Sequence, residues 1–123
     1  MTTNEITHEI LDSAYKVHTH LGPGLLESAY RTCLAYELKK KGLTVEEEKP
    51  LPIIYEEIKL EYGYRLDLLI ENEVIVELKM VEAFNEVHLA QLLTYLKFSE
   101  KHVGLLLNFY VKSLKDGIKR VCL

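Results

Sequence analysis

The sequence contains no tryptophan and only three prolines, six glycines and two cysteines among 123 residues. With proline and glycine this sparse in a chain that is 48% apolar, a disordered or low-complexity polypeptide is excluded, and one folded domain spanning residues 1–123 is expected. Cys33 and Cys122 stand far apart, with no Cys-x-x-Cys or Cys/His spacing. That excludes a thiolate-built zinc or iron–sulfur centre and suggests two reduced, small apolar side chains. No apolar run approaches the roughly 20 residues of a membrane-spanning helix, and the opening Met1-Thr2-Thr3-Asn4-Glu5 lacks the basic-then-apolar start of an export signal. The expectation is a cytoplasmic protein with no membrane partner. An excess of basic charge is also missing: the formal net charge is −4, which argues against a broad electrostatic grip on nucleic acid. Lys39-Lys40-Lys41 and the tail residues Lys112, Lys115, Lys119 and Arg120 form local basic clusters, which serve equally well as solvated faces.

What is present is strong periodicity. Ile6, Ile10, Leu11, Ala14, Val17 and Leu21 recur at three- and four-residue steps and predict a helix from Asn4 to about His20. Gly22-Pro23-Gly24 interrupts it, and Pro23 suits the first position of a second helix, expected over 23–41 with Leu26, Tyr30, Cys33, Leu34 and Leu38 as its apolar stripe. Gly42, after three lysines, is a C-terminal stop. The period then changes to two, predicting strands over 44–49 and 53–60, with Pro50 and Pro52 at an edge or bend. Residues 64–70 and 74–79 are apolar runs joined by Glu71-Asn72-Glu73, a β-hairpin. Asn85 is placed to cap a third helix running to about Ser99; Val103 to Leu107 suits a strand buried on both faces, and 117–123 a last short strand. The order implies an α/β (α+β) domain, a mixed β-sheet flanked by helices.

Chemistry concentrates in the hairpin. Asp67 and Glu77 are each embedded in an apolar run, where an uncompensated charge costs several kcal/mol. Residues two apart share a strand face, which sets Glu77 beside Lys79 and Asp67 on the face of Arg65. Strict pairing across a three-residue loop places Asp67 opposite Glu77. Two converging carboxylates need a proton or a cation between them, and hard oxygen donors suit Mg²⁺ or Mn²⁺. Such an ion acidifies water and polarises a phosphoryl oxygen, while Lys79 is placed to orient the water. The competing reading is a Glu77–Lys79 ion pair facing solvent, with Asp67 as an inward charge guarding an edge strand. On the third helix, His88, Gln91 and Tyr95 share one face and carry polar tips that require partners, either at the site or in one another and solvent.

The segment Gly24-Leu25-Leu26-Glu27-Ser28-Ala29-Tyr30 resembles the signature of the bacterial and archaeal GxxExxY proteins, a group of the PD-(D/E)XK nuclease superfamily. The likeness extends from Val17-His18 through Leu21-Gly22-Pro23 to Gln91-Leu92-Leu93-Thr94-Tyr95, although a proline ahead of the aspartate is lacking. It implies a restriction-endonuclease-like fold and a Mg²⁺- or Mn²⁺-dependent nuclease acting on DNA ahead of RNA. It also implies that Asp67, Glu77 and Lys79 form the catalytic core, that Glu27 joins or supports the metal site, and that Gln91 and Tyr95 border it. From the residues alone, Glu27 serves equally as an anion in a first helical turn, Tyr30 as a core aromatic, and His18 as a satisfied histidine that could touch substrate. A nuclease-fold accessory module acting through partners without turnover is the alternative, and the acidic balance favours it. Eight tyrosines leave room for a homodimer or a protein partner.

Overall fold

In the computed structural model, which describes residues 1–123, the first periodic segment forms helix α1, Thr3–Leu21. Thr2 and Glu5 close a reciprocal capping box, Thr2 Oγ1 accepting the Glu5 N–H at 3.1 Å and the Glu5 carboxylate accepting the Thr2 N–H at 2.9 Å. Its buried stripe of Ile6, Ile10, Ala14 and Val17 is the one that the spacing predicts. Helix α2 spans Glu27–Lys40 and starts four residues later than expected. The cause is Tyr30: its buried hydroxyl donates to the Gly22 carbonyl and accepts the Leu25 N–H at 3.0 Å. Residues 22–26 are thereby held as a loop, opened by Gly22 at a φ of +72°, and Pro23 stays outside the helix.

Seven strands follow or interleave: β1 Val45–Pro50, β2 Ile53–Tyr55, β3 Ile58–Leu60, β4 Arg65–Ile70, β5 Val74–Lys79, β6 Val103–Asn108 and β7 Ile118–Cys122, with helix α3 at Glu86–Ser99. The single strand expected over 53–60 is in fact a hairpin, β2 and β3 turning at Glu56 with φ of +52°. A 3₁₀ turn at Leu114–Gly117, absent from the periodicity, leads into β7. The main sheet runs β1-β4-β5-β6-β7, antiparallel except for the β5/β6 pair, so it is the mixed sheet that the element order implies.

Each face of the sheet carries its own core. Val74, Val76, Leu78, Leu68 and Ile70 pack with α1 and α2, through Ile10, Tyr30, Leu34 and Leu38. Ile75, Leu69, Leu66 and Leu106 pack with α3, through Leu92, Tyr95 and Leu96, and with the β2–β3 hairpin, through Ile53. Every fully buried leucine or isoleucine contributes about 2 kcal/mol, so this double-sided burial is what fixes the register of the central strands. Helix α3 approaches β6 so closely that a Cβ on Gly104 would stand 2.8 Å from Leu92 Cδ1.

Candidate active site

The β4–β5 ladder pairs Ile70 with Val74, Leu69 with Ile75 and Leu68 with Val76, and there it stops. One step further the same register would pair Asp67 with Glu77. Instead the strands part, and side chains take over the backbone N–H groups left free: Asp67 N–H donates to Glu77 Oε2 at 2.7 Å, and Leu78 N–H donates to Asp67 Oδ2 at 2.8 Å. The second oxygen of each carboxylate accepts no hydrogen bond from the protein. The two acids therefore converge, as the hairpin register predicts, in a wedge between two splayed central strands.

The opposite neighbour of β4 departs from ladder geometry at the same place. Strand β1 pairs Glu47 with Leu68 and Lys49 with Leu66 but omits the intervening pair of Glu48 with Asp67. Glu48 lies in the left-handed region, φ +48°. Across this point β4 loses its alternation, Leu66 joining the α3-side core and Leu68 the other. Asp67 thus sits at a local twist with irregular strand on both sides, the kind of disruption that re-aims a side chain beside a functional site.

Strand β5 keeps its alternation, so Ile75, Glu77 and Lys79 face α3. Lys79 Nζ donates to Gln91 Oε1 at 2.9 Å, which holds the ammonium near the acids without neutralising it. The end of β5 is pinned by buried Asn108 of β6: its Oδ1 accepts the Val81 N–H at 3.2 Å and the Tyr110 N–H at 3.1 Å, and its Nδ2 donates to the Val81 carbonyl at 2.7 Å.

Burial dominates the electrostatics. Glu77, 3% exposed, has its pKa pushed up to about 8, first by burial and next by the Asp67 charge, with the Asp67 N–H and Lys79 pulling the other way. Asp67 is also raised by burial, against the lowering influence of the Leu78 N–H, Lys79 and Arg31. Glu27, from the start of α2, is raised by burial and by Asp67, and lowered by Lys79 and Arg31, which places it within reach of the same charges. The Tyr95 hydroxyl is raised by burial, then by Glu77 and Asp67. Three buried acids with raised pKa values thus face the Lys79 ammonium and the Arg31 guanidinium, whose lowering influence does not offset the effect of burial.

A family model for the PD-(D/E)XK nuclease superfamily matches residues 4–121, a range that includes this wedge of an Asp on one strand and Glu-x-Lys on the next. The chain belongs to the PD-(D/E)XK nuclease superfamily. Neither the curated proteins nor the solved structures offer a significant match. Membership accounts for the restriction-endonuclease-like sheet and points to nuclease activity on nucleic acid, and nucleases of this superfamily generally use divalent metal ions.

Whether this PD-(D/E)XK chain suits such an ion is decided by its donors. Asp67 and Glu77 present hard oxygens, one on each carboxylate free of protein hydrogen bonds, in a pocket whose raised pKa values a cation would relieve. No third Asp, Glu, His or Cys completes a three-ligand cluster. Two carboxylates with water and phosphate in the other positions is a usual arrangement for Mg²⁺, so the residues fit.

The structure gathers Glu27, Asp67, Glu77, Lys79, Gln91 and Tyr95 around the wedge. Of the four other residues named from the sequence, Tyr30, His18 and His88 have partners elsewhere, and Arg65 faces solvent. Tyr30 is fully buried, stacked on Phe109 at 4.6 Å between ring centroids, and organises the loop ahead of Glu27. His18 hydrogen-bonds the Val111 carbonyl through Nε2 at 2.8 Å. His88 accepts the Asn85 N–H on Nδ1 at 3.1 Å, completing the cap of α3. Arg65 is exposed where β4 begins, opposite Pro50. Sequence reasoning missed Arg31, Glu48 and Asn108. Arg31 had one usable signal, its four-residue spacing from Glu27; Glu48 and Asn108 had none, because their importance comes from strand neighbours distant in sequence.

Proposed function

We propose that the protein is a Mg²⁺- or Mn²⁺-dependent nuclease that hydrolyses phosphodiester bonds, of DNA ahead of RNA, by attack of an activated water on phosphorus. The observation that carries this reading is the pair of carboxylates filling the gap between β4 and β5 with Lys79 beside them. Asp67 and Glu77 would hold the ion, and Glu27 would support it from α2. A bound Mg²⁺ or Mn²⁺ supplies Lewis acidity toward the phosphoryl oxygen and makes water a better acid. Lys79, oriented by Gln91, holds the attacking water and balances the negative charge that develops on phosphorus. Tyr95 closes the α3 side. The geometry of Tyr30, whose hydroxyl ties together the loop before Glu27, gives the Gly24 to Tyr30 segment a physical purpose and supports a place in the GxxExxY group.

Cleavage of labelled single-stranded and duplex DNA and RNA is the direct assay, in Mg²⁺, in Mn²⁺ and in chelator. Metal-dependent cleavage is expected from the parent and not from Asp67→Ala or Lys79→Ala, with circular dichroism spectra unchanged. Robust cleavage by Asp67→Ala would sink the assignment. A second reading, a nuclease-fold module acting through partners without turnover, is favoured by the net charge of −4 and the missing third ligand. Calorimetric titration separates the two: no uptake of Mg²⁺ or Mn²⁺ selects the module.

A further inference from the structure

The wedge has a second cation beside Lys79. Arg31 lies one helical turn after Glu27 on α2, so both side chains leave the same face of the helix. Its Nε is buried and has no hydrogen-bond partner. Its ion pair is a loose one, Nη1 standing 3.6 Å from Glu48 Oε1, beyond good hydrogen-bond range, and the Glu48 side chain is 49% exposed while that of Arg31 is 19% exposed. A guanidinium kept for stability alone would close a two-pronged pair with a carboxylate and leave no buried N–H orphaned. Glu48 reaches it from the left-handed backbone position that interrupts the β1–β4 ladder beside Asp67. Both residues therefore converge on the catalytic aspartate, Arg31 drawing the pKa values of Asp67 and Glu27 down and Glu48 pushing that of Asp67 up.

We propose that Arg31 binds a phosphate oxygen of the substrate beside the Asp67–Glu77 pair, and that Glu48 is the resting partner which the phosphate displaces. The proposal rests on the nuclease reading, since it requires a phosphodiester substrate. A phosphate accepts from Nε and Nη together, in the fork geometry that an arginine presents and a lysine does not. The buried N–H would then have its acceptor, and Glu48, already half exposed and only loosely paired, loses little on release. The exchange also gives Glu48 a second role: a carboxylate at the mouth of the site repels phosphates that do not reach the arginine.

Fluorescence anisotropy of labelled single-stranded and duplex DNA oligonucleotides tests this in Mn²⁺, using the whole chain with Lys79→Ala to suppress cleavage. In that background Arg31→Gln is expected to weaken binding about tenfold or more, and Arg31→Lys to restore only part of it, as befits a forked contact. Glu48→Gln is expected to tighten binding about threefold, because the guanidinium is freed and a repelling charge is removed. A residue that only braces α2 against β1 would not be opposed in sign by its own partner in this way. Equal affinity in the background protein and Arg31→Gln overturns the proposal and leaves the nuclease reading intact. A background protein that binds neither oligonucleotide overturns both. If Arg31→Gln does not fold by circular dichroism, Glu48→Gln decides the matter, and unchanged or weaker binding there overturns the proposal.

Discussion

Glu77 is where stability and function oppose each other most directly. Its folded pKa of about 8 lies above the ordinary 4.5, so between those values the folded chain binds a proton that the unfolded chain releases. Stability from this group is therefore fully present below about pH 4.5 and declines as pH rises through 8, by on the order of a few kcal/mol, with raised Asp67 acting in the same direction. Urea denaturation in chelator should show this decline. Glu77→Gln keeps an oxygen for the Asp67 N–H and removes the buried charge, so we expect it to be more stable than the parent by about 1–3 kcal/mol at pH 8, nearly equal to it at pH 5, and inactive. A Glu77→Gln protein that melts at lower urea than the parent at pH 8 would refute the account of an uncompensated carboxylate. Asp67→Ala differs, because it also strips the Leu78 N–H of its acceptor and should lose about 1 kcal/mol of what charge removal gains.

Among the elements, the loop between α1 and α2 and the contact of α3 with β6 set where the site residues stand. Tyr30→Phe keeps the stacking on Phe109 but orphans the Gly22 carbonyl and the Leu25 N–H, at a cost of about 1–2 kcal/mol. Because this loop positions Glu27, kcat should fall with little change in KM, which steady-state cleavage kinetics would reveal. Gly104→Ala forces a methyl group against Leu92 and so displaces α3, the helix carrying Gln91 and Tyr95. A loss of about 1–3 kcal/mol is expected by thermal denaturation, and pairing it with Leu92→Ala should recover part of that loss, since the two changes share one space.

For the molecule as a whole, metal ion and pH are linked. Divalent ions bind the ionised carboxylates, so Mn²⁺ or Mg²⁺ should raise Tm more at pH 8 than at pH 5, and the rise should vanish in Asp67→Ala. Equal shifts in parent and variant would place the ion elsewhere. The acidic surface has its own consequence. With a net charge of −4, few phosphates are neutralised at a time, so the log–log slope of DNA affinity against salt should be shallow, between 0 and about −3. A steeper slope would reveal a basic surface that the fold does not advertise.

Period and punctuation alone determined much of this protein. The buried face of α1, the cap at Asn85, the β4–β5 hairpin and the register aligning Asp67 with Glu77 all depend on neighbours within about a dozen residues, and such local relations are written into the spacing. Tertiary structure decided the late start of α2, because stacking on Phe109 across the core fixes the Tyr30 ring where its hydroxyl meets the Gly22 carbonyl and the Leu25 N–H. It likewise decided the irregular backbone of Glu48, the pinning of β5 by Asn108 and the unpartnered N–H of Arg31. Each of these is set by a partner far along the chain, and a periodic pattern records only which face of an element is buried, not which atoms it meets there.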